Sequence, residues 1–155
     1  MKNLLMTIFL LSTVVVHSED EIECLSKAIY FEARGSNLAD QAAVADVILN
    51  RVDSNRYPNT ICKVVKQGRY WKGNPIKHQC QFSFWCDGKS DRMLDLDAKA
   101  SATMLAVQVA KFGKFRGVSE GSLMYHANYV NPYWASSYQL VGTIGQHKYY
   151  RISKD

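Results

Sequence analysis

One carboxylate stands where the hydrophobic pattern calls for an apolar residue. In the segment Ala28-Ile29-Tyr30-Phe31-Glu32-Ala33-Arg34-Gly35 and the residues before it, Ile22, Leu25, Ala28 and Ile29 recur at helical spacing, and the next inward positions are Glu32 and Ala33. An ionised Glu there is disfavoured twice: burial penalises the charge, and the negative end of the helix dipole repels it. Both effects raise its pKa and favour a protonated acid near neutral pH. Such a group can protonate the leaving oxygen of a glycosidic bond as the C–O bond breaks. An ion pair with Arg34 or Arg51, serving structure only, accounts for Glu32 equally well from these residues alone.

Hydrolysis of a glycosidic bond ordinarily uses a second carboxylate as nucleophile or base. Asp40, Asp46, Asp53 and Asp87 are the candidates. The first three fall on a helix and its end, where a solvated face is expected, and Asp87 beside Gly88 suits a turn. This favours a reaction that needs one carboxylate. Two aromatic groups, Trp71, Phe82, Phe84 and Trp85, then Tyr125, Tyr129, Tyr133 and Trp134, offer flat faces for sugar rings, with at least half expected in the core. Gln81, Phe82, Ser83, Tyr125, His126 and Trp134 are the candidate substrate contacts, against plain core or backbone bonding for each.

These residues need elements to hold them. The pattern predicts a helix from Glu21 to Ala33 closed by Gly35 with positive φ, and a second from about Gln41 to Val52 capped by Ser36 or Asn37, the two forming a helical hairpin. A shorter helix is expected from Thr60 to Gln67. Residues Arg69 to Arg92 fit no period and are expected to form a long, disulfide-pinned loop beside a cleft. The alanine-rich run Asp95 to Phe112, with Ala98, Ala102, Leu105, Val109 and Phe112 on one face, predicts the central packing helix. Ser122 to His126 and Leu140 to Ile152 suit a small antiparallel hairpin or sheet. The fold class is α+β and mostly helical.

Residues 1–18 read as a secretory signal: Lys2 precedes the apolar run Leu4 to Val16, and Val16-His17-Ser18 suits cleavage. That run is short for a membrane span, so no stable insertion is expected once it is removed. Residues 19–155 form one domain large enough for its own core. The net charge of +5, with basic residues spread along the chain, suits an anionic polymer, whether wall or nucleic acid. Cys24, Cys62, Cys80 and Cys86 in an exported chain indicate two disulfides rather than a metal site. Of three connectivities, Cys24 with Cys62 and Cys80 with Cys86 is preferred. His78, His126 and His147 could serve a zinc amidase, but no His-Glu-x-x-His pattern occurs, and no metal or cofactor is expected. A nuclease would show an acidic or His-rich metal cluster, and a non-catalytic wall-binding module leaves the inward Glu32 unexplained.

The segment Ala28 to Gly35 with Gln41-Ala-Ala-Val-Ala45, Val47-Ile-Leu-Asn-Arg-Val52, Tyr57-Pro-Asn59, Cys80-Gln-Phe-Ser-Phe-Trp-Cys-Asp-Gly88 and Ile144-Gly-Gln-His-Lys-Tyr149 resembles the SleB/CwlJ family of cell-wall hydrolases. The resemblance implies a lysozyme-like and lytic-transglycosylase-like domain acting on the glycan strand of peptidoglycan, with Glu32 as catalytic acid. It implies cleavage between N-acetylmuramic acid and N-acetylglucosamine, by transglycosylation or by muramidase hydrolysis. Where the family has a second Glu after the Ala-Arg-Gly triplet, this chain has Ser36. An exported monomer, periplasmic or extracellular, without a nucleic-acid partner is the expectation.

Overall fold

The computed structural model describes residues 18–152. The signal segment expected over residues 1–18 lies outside them, apart from Ser18. That residue caps α1 (Glu19–Ala33), its hydroxyl accepting from the Glu21 amide, and Glu19, Asp20 and Glu21 place negative charge at the positive end of the dipole. α2 (Leu38–Asp53) starts from Asn37, whose side chain accepts from the Asp40 amide. The link between them is tighter than expected: Arg34 keeps right-handed geometry, and Gly35 is not in the left-handed region. Asn37 can cap α2 only because the chain turns within three residues, so no left-handed closure is needed.

α1 and α2, rather than the alanine-rich helix, form the centre. Eight residues of α1 and ten of α2 are buried, against four in α4 (Leu96–Phe112), and both pack on each other, on α3 (Ile61–Val65) and on α4. Leu25, Ala28, Ile29, Val44, Ile48, Ile61 and Val64 are shut off from solvent. α4 runs to Gly113, which closes it in the left-handed conformation as expected. Phe112 does not join the inward face: it is 70% exposed, because α4 has passed the end of the core by its last turn. Ala98, at the other end, is only partly covered.

The expected loop at Arg69 to Arg92 is mostly regular structure. β1 (Gly68–Trp71) and β2 (Asn74–Cys80) form an antiparallel hairpin through a two-residue turn, Lys72 and Gly73, both with positive φ. A 3₁₀ turn at Ser83–Cys86 follows. Every β1 side chain is exposed, so no alternation of apolar and polar residues announced the strand. Cys24 bridges Cys62, tying α1 to α3, and Cys80 bridges Cys86, closing the hairpin onto the 3₁₀ turn.

β3 (Met124–Ala127), β4 (Gln139–Ile144) and β5 (His147–Arg151) make an antiparallel sheet in the order β3-β5-β4. α2 carries it. Asp46 and Asp40, expected on a solvated face, are both fully buried. Asp46 accepts from the Ser119 amide and hydroxyl and the Gly117 amide, and pairs with Arg116 at 2.8 Å. Asn50 bonds Ser119 and the Ser122 carbonyl, and Arg51 Nε donates to the Leu123 carbonyl. The turn before β3 is thereby clamped to α2, which fixes where Tyr125 stands. Among the described residues no helix is long and apolar enough to cross a membrane.

Candidate active site

The last turn of α1, the Gln81–Ser83 segment, β3 and the chain through Trp134 enclose a groove of about 480 Å³. Glu32 opens into it, partly buried, and it is the sole carboxylate lining it among the described residues. The Tyr125 hydroxyl, presented by β3, donates to Glu32 Oε2 at 3.2 Å. Burial pushes the Glu32 pKa up, and this outweighs the opposing pull of the Tyr125 hydrogen bond and of His147 and Arg51. The acid is therefore held toward its protonated form. Burial, with the Glu32 charge beside it, pushes the Tyr125 phenol well above its ordinary value, so it stays a donor.

Neither Arg34 nor Arg51 forms an ion pair with Glu32. Arg34 lies over the Tyr30 ring at 4.5 Å, away from the acid. Arg51 is 6% exposed, bonded to Leu123, and its guanidinium sits 5.2 Å from the Tyr57 ring and 5.5 Å from the Phe82 ring.

His147 forms another part of the lining, and Asp40 stands behind it. Its Nδ1 lies 3.0 and 2.9 Å from the two Asp40 oxygens. The same carboxylate accepts from Ser36 Oγ, the Gln146 amide and Tyr149 Oη. Burial alone would raise the Asp40 pKa, but these donors, His147 foremost, hold it below its ordinary value. Gly145 permits the arrangement: its φ is +56°, and a Cβ there would come within 2.6 Å of Asp40 Cβ. The His147 ring meets the Tyr125 ring edge-on at 5.1 Å, so a buried chain of contacts runs from Asp40 through His147 and Tyr125 to Glu32.

The structure brings all six expected contact residues, Gln81, Phe82, Ser83, Tyr125, His126 and Trp134, to this groove. Two of them differ from expectation in what they can offer. Phe82 is 2% exposed and forms floor beneath Arg51. Both ring nitrogens of His126 are engaged, Nδ1 with the Ala127 carbonyl at 2.8 Å and Nε2 with Tyr150 Oη at 2.9 Å, which leaves none for a sugar hydroxyl. Gln81 and Ser83 are exposed, and Trp134 is half-buried against His126. Of the other aromatics, Phe84 is buried in the core against Phe31, Trp85 lies under Lys66, and Trp71 stands out on the hairpin.

Tyr129, one of the aromatics expected to offer a face to sugar, lines the groove, and so do Phe31, Arg51, Met124, Val130, Pro132 and His147, which had not been singled out as contacts. Tyr129 is 86% exposed at the rim. For His147 the sequence holds no local sign, since Asp40 is 107 positions away. No three His, Cys, Asp or Glu side chains among the described residues converge as metal ligands, and His78 is exposed on β2.

Residues 35–150 match the model of the cell wall hydrolase family, three-quarters of the chain. The chain belongs to that family. Over 53 residues the hydrolase is 43% identical to a spore cortex-lytic enzyme of Bacillus cereus, and over 48 residues 44% identical to the spore cortex-lytic enzyme of Bacillus subtilis. These stretches are 34% and 31% of this chain but only 20% and 16% of those proteins. Its fold is that of the catalytic domain of the Bacillus cereus SleB protein: TM-score 0.65, 26% identity, covering 88% of this chain and 94% of that one. The catalytic domain of the germination-specific lytic transglycosylase SleB from Bacillus anthracis also matches, with TM-score 0.65 and 25% identity, over 87% of this chain and 97% of that one. The family match begins at Gly35, three residues beyond Glu32.

Proposed function

We propose that this hydrolase is exported by its N-terminal segment and cleaves the glycan strand of peptidoglycan between N-acetylmuramic acid and N-acetylglucosamine, as a monomer and without a metal. Glu32 acts first as acid. Its proton passes to the bridging oxygen as the C1–O bond breaks, and the N-acetylglucosamine portion leaves with that proton as its hydroxyl. Glu32, now a carboxylate, takes the proton of the muramyl C6 hydroxyl while that oxygen closes on C1. The product is a 1,6-anhydromuramyl end, and the attacking group is already tethered, so no water has to be positioned.

The observation that carries this reading is the isolation of Glu32. Hydrolysis with two carboxylates needs them about 5–9.5 Å apart across the bond. Among the described residues no other carboxylate lines the groove, and Asp40 is enclosed behind His147 by its own donors. Tyr125 steadies the carboxylate that the first step creates. Exposed Gln81 and Ser83 supply polar contacts on one wall, and Trp134 with Tyr129 supplies flat faces on the other.

Mass analysis of fragments released from purified sacculi tests the reaction. Fragments lighter by one water than their reducing counterparts are expected. Reducing ends alone would establish muramidase hydrolysis instead, and cleavage of the amide at the lactyl group would place the enzyme in another class.

A further inference from the structure

The β1–β2 hairpin takes no part in the groove, yet its charge sets it apart from the rest of the fold. From Ser54 to Cys86 the chain holds six basic residues, Arg56, Lys63, Lys66, Arg69, Lys72 and Lys77, and no Asp or Glu. That stretch carries +6 against +5 for the whole chain, which leaves −1 elsewhere. None of the six lies in an ion pair among the described residues. The basic residues were expected to be spread along the chain. They are, but the acids are not, and the result is a one-sided field.

Tyr70 and Trp71 show which face of the hairpin is free. The Tyr70 hydroxyl donates to the Lys66 carbonyl at 2.6 Å and accepts from Trp85 Nε1 at 2.9 Å, fastening its face to the domain. Trp71, on the opposite face by strand alternation, is 70% exposed, with Lys72 Nζ 6.0 Å from its ring centroid. The base is rigid: a Cβ on Gly68 would meet Cys80 Cα at 2.9 Å, and Cys80 is bridged to Cys86. β2 ends at Cys80, and the next residues, Gln81 to Ser83, are the groove wall.

We propose that this hairpin is a second holding site for the polymer cleaved in the groove. Arg69 and Lys72 take carboxylates of the peptide stems, and Trp71 packs on the strand between them; Lys77, on the Tyr70 face by the pairing of Tyr70 with Pro75, is turned toward Gly88 and takes no part. The assignment rests on the peptidoglycan reading above. Two observations select this occupant: the hairpin lacks any negative charge, so it suits a polyanion, and it continues directly from the groove wall. A peptidoglycan strand lying in the groove repeats its carboxylates along its length and reaches the hairpin without a break.

The test is sedimentation of the full chain with sacculi that acid extraction has freed of phosphate polymers, comparing wild type with Arg69→Gln/Trp71→Thr/Lys72→Asn. Asn tolerates the positive φ of Lys72. The variant is expected to bind about tenfold more weakly at low salt, and wild-type binding to fall toward the variant's at high salt. A charge-only variant, Arg69→Gln/Lys72→Asn, should lose less at low salt and nothing at high salt, which a misfolded hairpin would not do. Equal sedimentation of wild type and triple variant overturns the proposal. So does wild-type binding confined to unextracted sacculi, which would assign the site to a phosphate polymer, or to phosphatidylglycerol vesicles, which would assign it to a membrane. Sedimentation requires no cleavage: a binding difference in a protein that releases no fragments would keep the hairpin site and refute the catalytic reading.

Discussion

The Tyr125 hydroxyl donates to Glu32 Oε2 at 3.2 Å across 93 positions of sequence, joining the first helix to the first strand of the C-terminal sheet. This bond favours the charged form of the acid and opposes the larger effect of burial. Tyr125→Phe is expected to lower kcat/KM about tenfold with the fold intact, the weight of one hydrogen bond to a charged group. The direction of its pH effect follows. An acid must be protonated to act, so activity falls as pH rises through the Glu32 pKa. Losing a donor to the carboxylate raises that pKa, and the alkaline limb of the kcat/KM profile should move to higher pH.

Asp40 gives the opposite sign for stability. Its folded pKa lies below the ordinary value of 3.8, so its contribution is present above that value and is lost as pH falls through the folded pKa. Asp40→Asn leaves His147 and Tyr149 short of a charged acceptor in a buried site. Urea unfolding should show a loss of about 2–4 kcal/mol at pH 7, and a shallower decline below pH 4 than the wild type shows.

Cys24–Cys62 spans 38 positions and ties α1 to α3. Replacing both residues with Ser should cost about 4 kcal/mol of stability through the freed unfolded chain, measured by denaturant unfolding. Because Cys24 sits two turns before Glu32 on the same helix, activity at low temperature should fall less than stability does.

The helices were legible in the sequence because each shows one face to a core: Leu25 and Ile29, or Leu105 and Val109, repeat at the period of the turn. The hairpin at 68–80 was not, since its β1 residues are exposed on both faces and leave no pattern to read. Glu32 was legible for a related reason, as a polar residue interrupting an apolar stripe. Asp40 and Asp46 were not. Apart from Ser36, which is local to Asp40, their donors lie 106 to 109 positions away for Asp40 and 70 to 73 for Asp46, and only the folded chain brings those partners to them. The same distance hid His147 from the candidate site. The spent hydrogen bonds of His126 were equally hidden, because Tyr150 meets it only once β3 and β5 pair.

The most direct test of Glu32 as the acid is release of labelled fragments from sacculi by Glu32→Gln, with unfolding followed on the same samples. Burial raises the folded Glu32 pKa above 4.5, so ionisation costs stability as pH rises from there; the Gln variant should be as stable as wild type at pH 7, or slightly more so. Release should fall by about 10²- to 10⁴-fold in that fully folded variant. Undiminished release would contradict the assignment of the proton to Glu32, and the catalytic reading of the groove with it.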